Sequence, residues 1–134
     1  MSIASRISVS GMDVAALRLQ VSASNVASSL SDGPMPGTAN AAGYPSAYVP
    51  LRVDQVSTAS GGTSASVGVV TPSYLSTYDP SAPYADSNGM VASPNVDLPS
   101  EIAQQIVARY DFAANANVLR ADAQMMATLL NITC

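Results

Sequence analysis

Apolar and polar positions follow two rhythms along this chain, and the change of rhythm divides it into three parts. Between residues 2 and 30, Ile3, Ile7, Ser10, Val14, Leu17, Val21 and Ser24 recur in alternating steps of four and three. Met12, Ala16, Leu19, Ala23, Val26 and Leu30 form a second series of the same kind. Steps averaging 3.5 residues are the coiled-coil repeat of a helix, and two series on one helix predict more than one neighbour. Gly11 is a weak point, costing about 1 kcal/mol relative to alanine, and Gly33 and Pro34 mark the stop. Such a helix spans roughly 42 Å.

Residues 97–132 predict a longer helix. Asp97 suits the N-cap, Pro99 the first turn, and Glu101 adds negative charge where the helix dipole favours it. Leu98, Ile102, Gln105, Arg109, Phe112, Ala116, Leu119, Ala123, Met126 and Leu130 keep heptad steps without a slip. Ala103, Ile106, Tyr110 and Ala113 start a second seam, and Met125, Leu129 and Ile132 a late third. Alanines at 113, 114, 116, 121 and 123 allow neighbouring backbones to approach closely.

The middle, 31–96, reads as turns and short strands. Val49, Leu51 and Val53 alternate with Arg52 and Asp54, a period of two. The polar run from Ser57 to Ser64 contains Gly61-Gly62, and Val67 and Val69 resume the alternation. A β-hairpin of 48–56 against 65–71 follows. Asn88-Gly89 signals a tight turn before Met90 and Val91. Eight prolines limit regular structure here, and the glycine-containing stretch 31–43 reads as flexible. The expected fold is mainly α with a small β part. Long N- and C-terminal helices (1–32 and 97–134) pair as a coiled-coil-like inner domain, with a loop-rich β-hairpin segment (33–96) between them. One antiparallel hairpin with an ordinary core would account for the stripes more simply. It buries only one face of each helix, however, and the other faces then need other chains or remain as exposed patches.

Composition sharpens this. Charged residues make up 10% of the 134 and hydrophobic ones 48%, against about 25% charged in an ordinary soluble domain. Nine acids and five arginines give net charge −4, with no lysine, histidine or tryptophan. Without histidine there is no Ser-His-Asp or Cys-His catalysis and no imidazole metal site. Without lysine there is no P-loop and no Schiff base. The scattered arginines form no basic patch, so no nucleic-acid partner is expected. No run approaches about 18 apolar residues, so no membrane span is expected. Ser8, Ser10 and Asp13 interrupt any signal-peptide core after Arg6.

Asp79, Asp86 and Asn88-Gly89 do not make a calcium loop. With Gly89 at the turn of an EF-hand register, Tyr84 and Asn95 occupy ligand positions that need acids. Asn131-Ile132-Thr133 has the form of a glycosylation sequon at a helix end. The acids are not paired at close spacing, and Cys134 has no partner cysteine. Neither enzyme activity nor a cofactor or metal is expected.

The run from Tyr78 to Asp97, Tyr-Asp-Pro-Ser-Ala-Pro-Tyr-Ala-Asp-Ser-Asn-Gly-Met-Val-Ala-Ser-Pro-Asn-Val-Asp, closely resembles the hallmark of the FlgC family of flagellar proximal-rod proteins. Met90 stands where that family usually has tyrosine. Phe112-Ala113-Ala114-Asn115-Ala116-Asn117-Val118-Leu119 is similar to its C-terminal helix motif, although Tyr110 holds the place of a usual arginine and Arg109 lies one earlier. Ser22-Ala23-Ser24-Asn25-Val26-Ala27 resembles the Ala-Ser-Asn-Leu-Ala signature of axial N-terminal helices. Tyr44 sits where the family has a tyrosine after a glycine-rich loop, and the loop after Asn25 lacks the common Asn-Thr-x-Gly-Tyr form.

The resemblance implies a structural subunit of the bacterial flagellar basal-body rod, crossing the periplasm and exported by the flagellar type III apparatus without a cleaved signal. It implies copies of itself, other rod proteins and a membrane-ring/rod adaptor protein as partners. On that reading the assembly interface falls on Ile7, Val14, Leu17, Val21, Ile102, Ile106, Phe112, Leu119, Met126 and Leu130. Asn25 and Asn115 are candidates for polar cross-helix bonds that set register. The alternative of another class is a soluble helical-hairpin binding module or export adaptor.

Overall fold

The computed structural model describes residues 2–38 and 43–132. Helix α1 runs Ile3–Ala27 and helix α2 runs Leu98–Ile132, roughly 37 Å and 52 Å long at 1.5 Å per residue. Between them lie β1 (Leu51–Ser57), β2 (Thr63–Val69), β3 (Tyr74–Tyr78) and β4 (Met90–Pro94). The strands form two separate antiparallel hairpins, β1-β2 and β3-β4. Among the described residues no helix is long and apolar enough to cross a membrane.

Helix α1 begins on Ser2, whose extended backbone frees its Oγ to accept from the Ser5 N–H at 3.0 Å, an N-cap. It stops at Ala27, three residues short of the expected end. The serines there divert hydrogen bonding to local partners: Ser29 Oγ donates to the Val26 carbonyl, and Ser31 N bonds Ser28 O. Serine side chains compete with the helix ladder in this way. At the start of α2, the Asp97 carbonyl accepts the first helical bond, from Glu101 N at 3.0 Å.

The first hairpin is the expected one, shifted toward its turn. Leu51 pairs with Val69 and Ser57 with Thr63, so the polar loop contracts to 58–62. Gly61 and Gly62 adopt φ of 81° and 93°. Thr58 N donates to Gly62 O, Gly61 N donates to Thr58 O, and Thr58 Oγ1 donates to Gly61 O. The left-handed glycines let the ladder continue almost to the tip.

The second hairpin was not expected. Tyr74 pairs with Pro94 and Tyr78 with Met90, across a connection of residues 79–89. Its final turn is the Asn88-Gly89 signal: Asp86 Oδ1 accepts from the N–H groups of Asn88 and Met90, both at 2.8 Å, and Gly89 takes φ 73°. Gly33 forms an antiparallel bridge to Ala92, so the stretch read as flexible is pinned at that point. Residues 39–42, Thr133 of the sequon and Cys134 lie outside the described residues.

Buried hydrophobic residues are few and small: Val14, Ala15, Val21, Ala85, Val91, Ala92 and Ala108. Among the described residues, no leucine, isoleucine, phenylalanine or methionine is fully buried.

Candidate functional site

The contacts of α1 with α2 run in opposite directions along the two helices. Ser2 Oγ donates to Asp122 Oδ2 at 2.7 Å, and Ser5 Oγ donates to the same oxygen. A Cβ added to Gly11 would stand 2.7 Å from Asn115 Nδ2. Arg18 pairs with Asp111 at 3.2 Å. Ser22 Oγ donates to the Glu101 carbonyl at 2.9 Å, and Asn25 Nδ2 to Glu101 Oε1 at 2.7 Å. The pair is therefore antiparallel.

Along α1 these contacts, together with the buried Ser8 and Ala15, fall on Ser5, Ser8, Gly11, Ala15, Arg18, Ser22 and Asn25, in steps of three and four. This seam is neither of the apolar series. Ser8, Ala15, Ser22 and Asn25 are buried, while Ile3, Ile7 and Leu19 are exposed. Along α2 the matching positions are Glu101, Ala108, Asp111, Asn115 and Asp122. The physical reason is distance. Small side chains let two helix backbones approach closely, and the polar atoms on the seam satisfy one another. Large apolar side chains would hold the helices apart, and they lie to either side. Gly11, expected as a weak point, is a place of close approach.

Asn25 ties the assembly of elements together. It is 1% exposed. Its Oδ1 accepts from Leu51 N at 3.0 Å and from the Tyr48 hydroxyl at 3.1 Å, and its Nδ2 donates to Leu51 O at 2.7 Å as well as to Glu101. The side-chain amide thus bonds both main-chain groups of Leu51, as a neighbouring strand residue would. It closes the start of β1 and joins the end of α1 to the beginning of α2. All four hydrogen-bonding positions of the amide are used.

The β1-β2 hairpin then lies along α1 from Asn25 toward the N-terminus. Thr63 N donates to Ser10 Oγ at 3.3 Å, and Gly61 approaches the Ile7 side chain. Val14 and Leu17 line the groove beside Thr63, Ser64 and Ala65. The first apolar series of α1 thus meets the hairpin.

The other stripes meet nothing in the described chain that buries them. Ile102, Ile106, Val107 and Phe112 are exposed on α2, with Tyr110 at 74%. A shallow groove lined by Ile106, Arg109, Tyr110 and Ala113 opens there. Past Asp122, α2 continues beyond the level of Ser2 for residues 123–132, about 15 Å, and each of these residues is exposed. Met125 and Leu129 are each 60% exposed on this extension.

The twelve candidate residues therefore separate. Val14, Val21 and Asn25 are buried inside the chain, and Leu17, Asn115 and Leu119 are half-buried. Ile7, Ile102, Ile106, Phe112, Met126 and Leu130 are exposed. Asn115 donates to the Asp111 carbonyl of its own helix at 2.8 Å, so within this chain its bond is not the cross-helix one expected. Sequence reasoning overlooked Ser5, Ser8, Ser22, Glu101 and Asp122. For the serines the signal was present as a third series of steps of three and four on α1, made of small and polar residues, which a search for apolar positions passes over.

Asp122 is buried on this seam, and the Ser5 and Ser2 hydroxyls hold its carboxyl below its ordinary value. Hydrogen bonds to a carboxylate favour its charged form. Among the described residues no three acids or cysteines come together to hold a metal. What this arrangement offers chemically is surface for packing.

A family model described as flagellar basal body rod FlgEFG protein C-terminal matches residues 87–132, which cover β4 and all of α2. Over 132 residues the chain is 32% identical to the flagellar basal-body rod protein FlgC of Agrobacterium fabrum. The match covers 98% of this chain and 94% of that protein.

Proposed function

We propose, from the premise that this chain belongs to the FlgC family of flagellar basal-body rod proteins, that it is built into the proximal rod by lateral packing of α1 and α2 against the helices of neighbouring subunits. It is a structural rod subunit and not an enzyme. The observation that supports the mode of packing is the division of labour on the helices. The seam inside the chain uses small and polar residues, and the large apolar side chains flank it, exposed. A monomer rarely keeps contiguous apolar surface of this kind uncovered. Covering it with like helices in a tube converts that surface into core.

The exposed candidates Ile7, Ile102, Ile106, Phe112, Met126 and Leu130 make these contacts between subunits. Val14, Val21 and Asn25 hold α1 in the shape that presents them. Heterologous contacts repeated from subunit to subunit extend along a helix, which suits a shaft that carries torque. The partners on this reading are copies of the chain, adjoining rod proteins and the adaptor between rod and membrane ring. The route is the flagellar type III export apparatus, with no cleaved signal. A seam this thin, with so few buried large side chains, also fits a chain that must unfold for a narrow channel.

Deletion of the gene in its own bacterium tests the reading. Basal bodies that stop after the membrane ring and before the distal rod are expected, with motility restored by the intact gene. Hooks and filaments assembled normally without it would overturn the proposal.

A further inference from the structure

The two edges of the β3-β4 hairpin are treated in opposite ways. Asn95 N donates to Ser73 O and Asp79 N to Gly89 O. With the antiparallel alternation, this turns the main-chain groups of residues 73, 75, 77 and 79 toward β4. It turns those of Tyr74, Ser76 and Tyr78 away. On the far side of β4 the outward groups are closed. Met90 bonds Asp86 through both its N–H and its carbonyl, Ala92 exchanges two bonds with Gly33, and Pro94 has no N–H and gives its carbonyl to Val96 N. Among the described residues, the outward N–H and carbonyl groups of Tyr74, Ser76 and Tyr78 on β3 have no partner. The strand carries no charge and no proline, and Tyr78 is 68% exposed. Folded proteins usually guard such an edge with a lysine, a proline or a bulge.

A second open edge lies close by in sequence. In the first hairpin, Val70 N bonds Pro50 O and Thr58 N bonds Gly62 O, so the outward residues of β2 are Thr63, Ala65, Val67 and Val69. Ser10 takes the N–H of Thr63. Among the described residues nothing bonds the outward groups of Ala65, Val67 and Val69, three residues matching the three on β3. β2 is also uncharged, and Val69 is 55% exposed. β1 suits the role less well: its first outward residue is closed by Asn25, and it carries Arg52 and Asp54.

We infer that the outer edge of β3 receives the outer edge of β2 from a second copy of this chain, joining two hairpins into one sheet by main-chain hydrogen bonds. The occupant follows from complementarity: two uncharged edges of equal length, each with alternate N–H and carbonyl groups unused. Both edges belong to every copy, so the contact is head-to-tail and propagates. It rests on the rod reading and adds a second kind of contact to it, outside the helices.

Cross-linking in isolated basal bodies tests the contact. The variant carries Cys134→Ser with Ser76→Cys and Val67→Cys, and the reagent is a short bifunctional maleimide. The expected result is a ladder of dimers and higher multimers, absent from either single-cysteine variant. No ladder beyond that of the single variants, in rods that contain the protein, overturns the inference and leaves the rod reading intact. If fractionation finds no protein in basal bodies, the rod reading fails and the inference falls with it. A second variant, Ser76→Pro, removes only an outward N–H. Its melting curve should stay close to wild type while incorporation into rods falls by about tenfold or more. Thr77→Pro, which removes an inward N–H, is the reference for a broken hairpin. Wild-type incorporation of Ser76→Pro also overturns the inference.

Discussion

Helices α1 and α2 carry the same heptad signature and meet different fates. The shorter helix buries seven residues, Ser5, Ser8, Val14, Ala15, Val21, Ser22 and Asn25, while the longer one buries only Ala108 and Asp122. One face of α1 is taken by α2, a second by the β1-β2 hairpin, and the end is fastened through Asn25. Among the described elements α2 packs only against α1, and its residues 123–132 are exposed. A heptad stripe therefore states that a helix will have a neighbour on that face. It does not state whether the neighbour is the same molecule.

Four experiments sharpen or break this contrast. The largest effect is expected on the open helix, and it should be functional only. Met125→Ser with Leu129→Ser on the extension of α2 should abolish swimming and rod incorporation. Its unfolding free energy should stay within about 0.5 kcal/mol of wild type, as for surface positions. Loss of stability comparable to a core substitution, in purified protein, would show that these residues are already packed inside the subunit.

On the closed helix the order reverses, and stability should suffer first. Asn25→Ala leaves both main-chain groups of Leu51 and the Glu101 side chain without their partner. A loss on the order of 3 kcal/mol is expected in urea unfolding, since each buried orphan costs about 1–3 kcal/mol. Leaving Tyr48, Leu51 and Glu101 in place with no measurable change would mean that α1 is held by something else.

Gly11→Ala tests the close approach. The new methyl group meets the end of the Asn115 side chain, which must give up its bond to Asp111. Overpacking of about 2 kcal/mol, less the helix propensity gain of about 1 kcal/mol, leaves a net loss of about 1 kcal/mol. The loss should vanish in an Asn115→Ala background, read as the coupling in a double-mutant cycle. Additive effects would place the two residues out of contact.

The smallest effect is electrostatic. The Asp122 carboxyl is held below its ordinary value of 3.8 by Ser5 and Ser2. A depressed folded value contributes stability that is present above the unfolded value and lost as pH falls through the folded one. Wild type should therefore lose its advantage over Asp122→Asn as pH drops below about 4. Asp79, lowered by Ser81 in an exposed turn, remains in both proteins and cancels. A stability difference constant from pH 7 to pH 2 would contradict the clasp.

The helices, the first hairpin and the Asn88-Gly89 turn were legible because each rests on local chemistry. Period, capping residues and left-handed glycines act within a few positions of themselves. The β3-β4 pairing was not legible. Its strands are separated by 79–89, with prolines at 80 and 83, and β3 shows its register only once β4 and Gly33 are placed beside it. Asn25 stood out by its motif. Its partners did not, because Leu51, Tyr48 and Glu101 come from three separate segments. The intrachain seam of α1 was not legible for a related reason. Apolar periodicity marks the larger residues, while close packing of two backbones selects the smaller ones.

The order of residues by itself determined that this chain forms two long helices with surplus apolar surface, and that histidine- and lysine-based catalysis is closed to it. Those properties follow from composition and short-range periodicity. Tertiary structure alone decided which stripe faces inward, which strand edge is closed and which is left open. Each depends on which distant group arrives at hydrogen-bonding distance, and a local pattern holds no record of that.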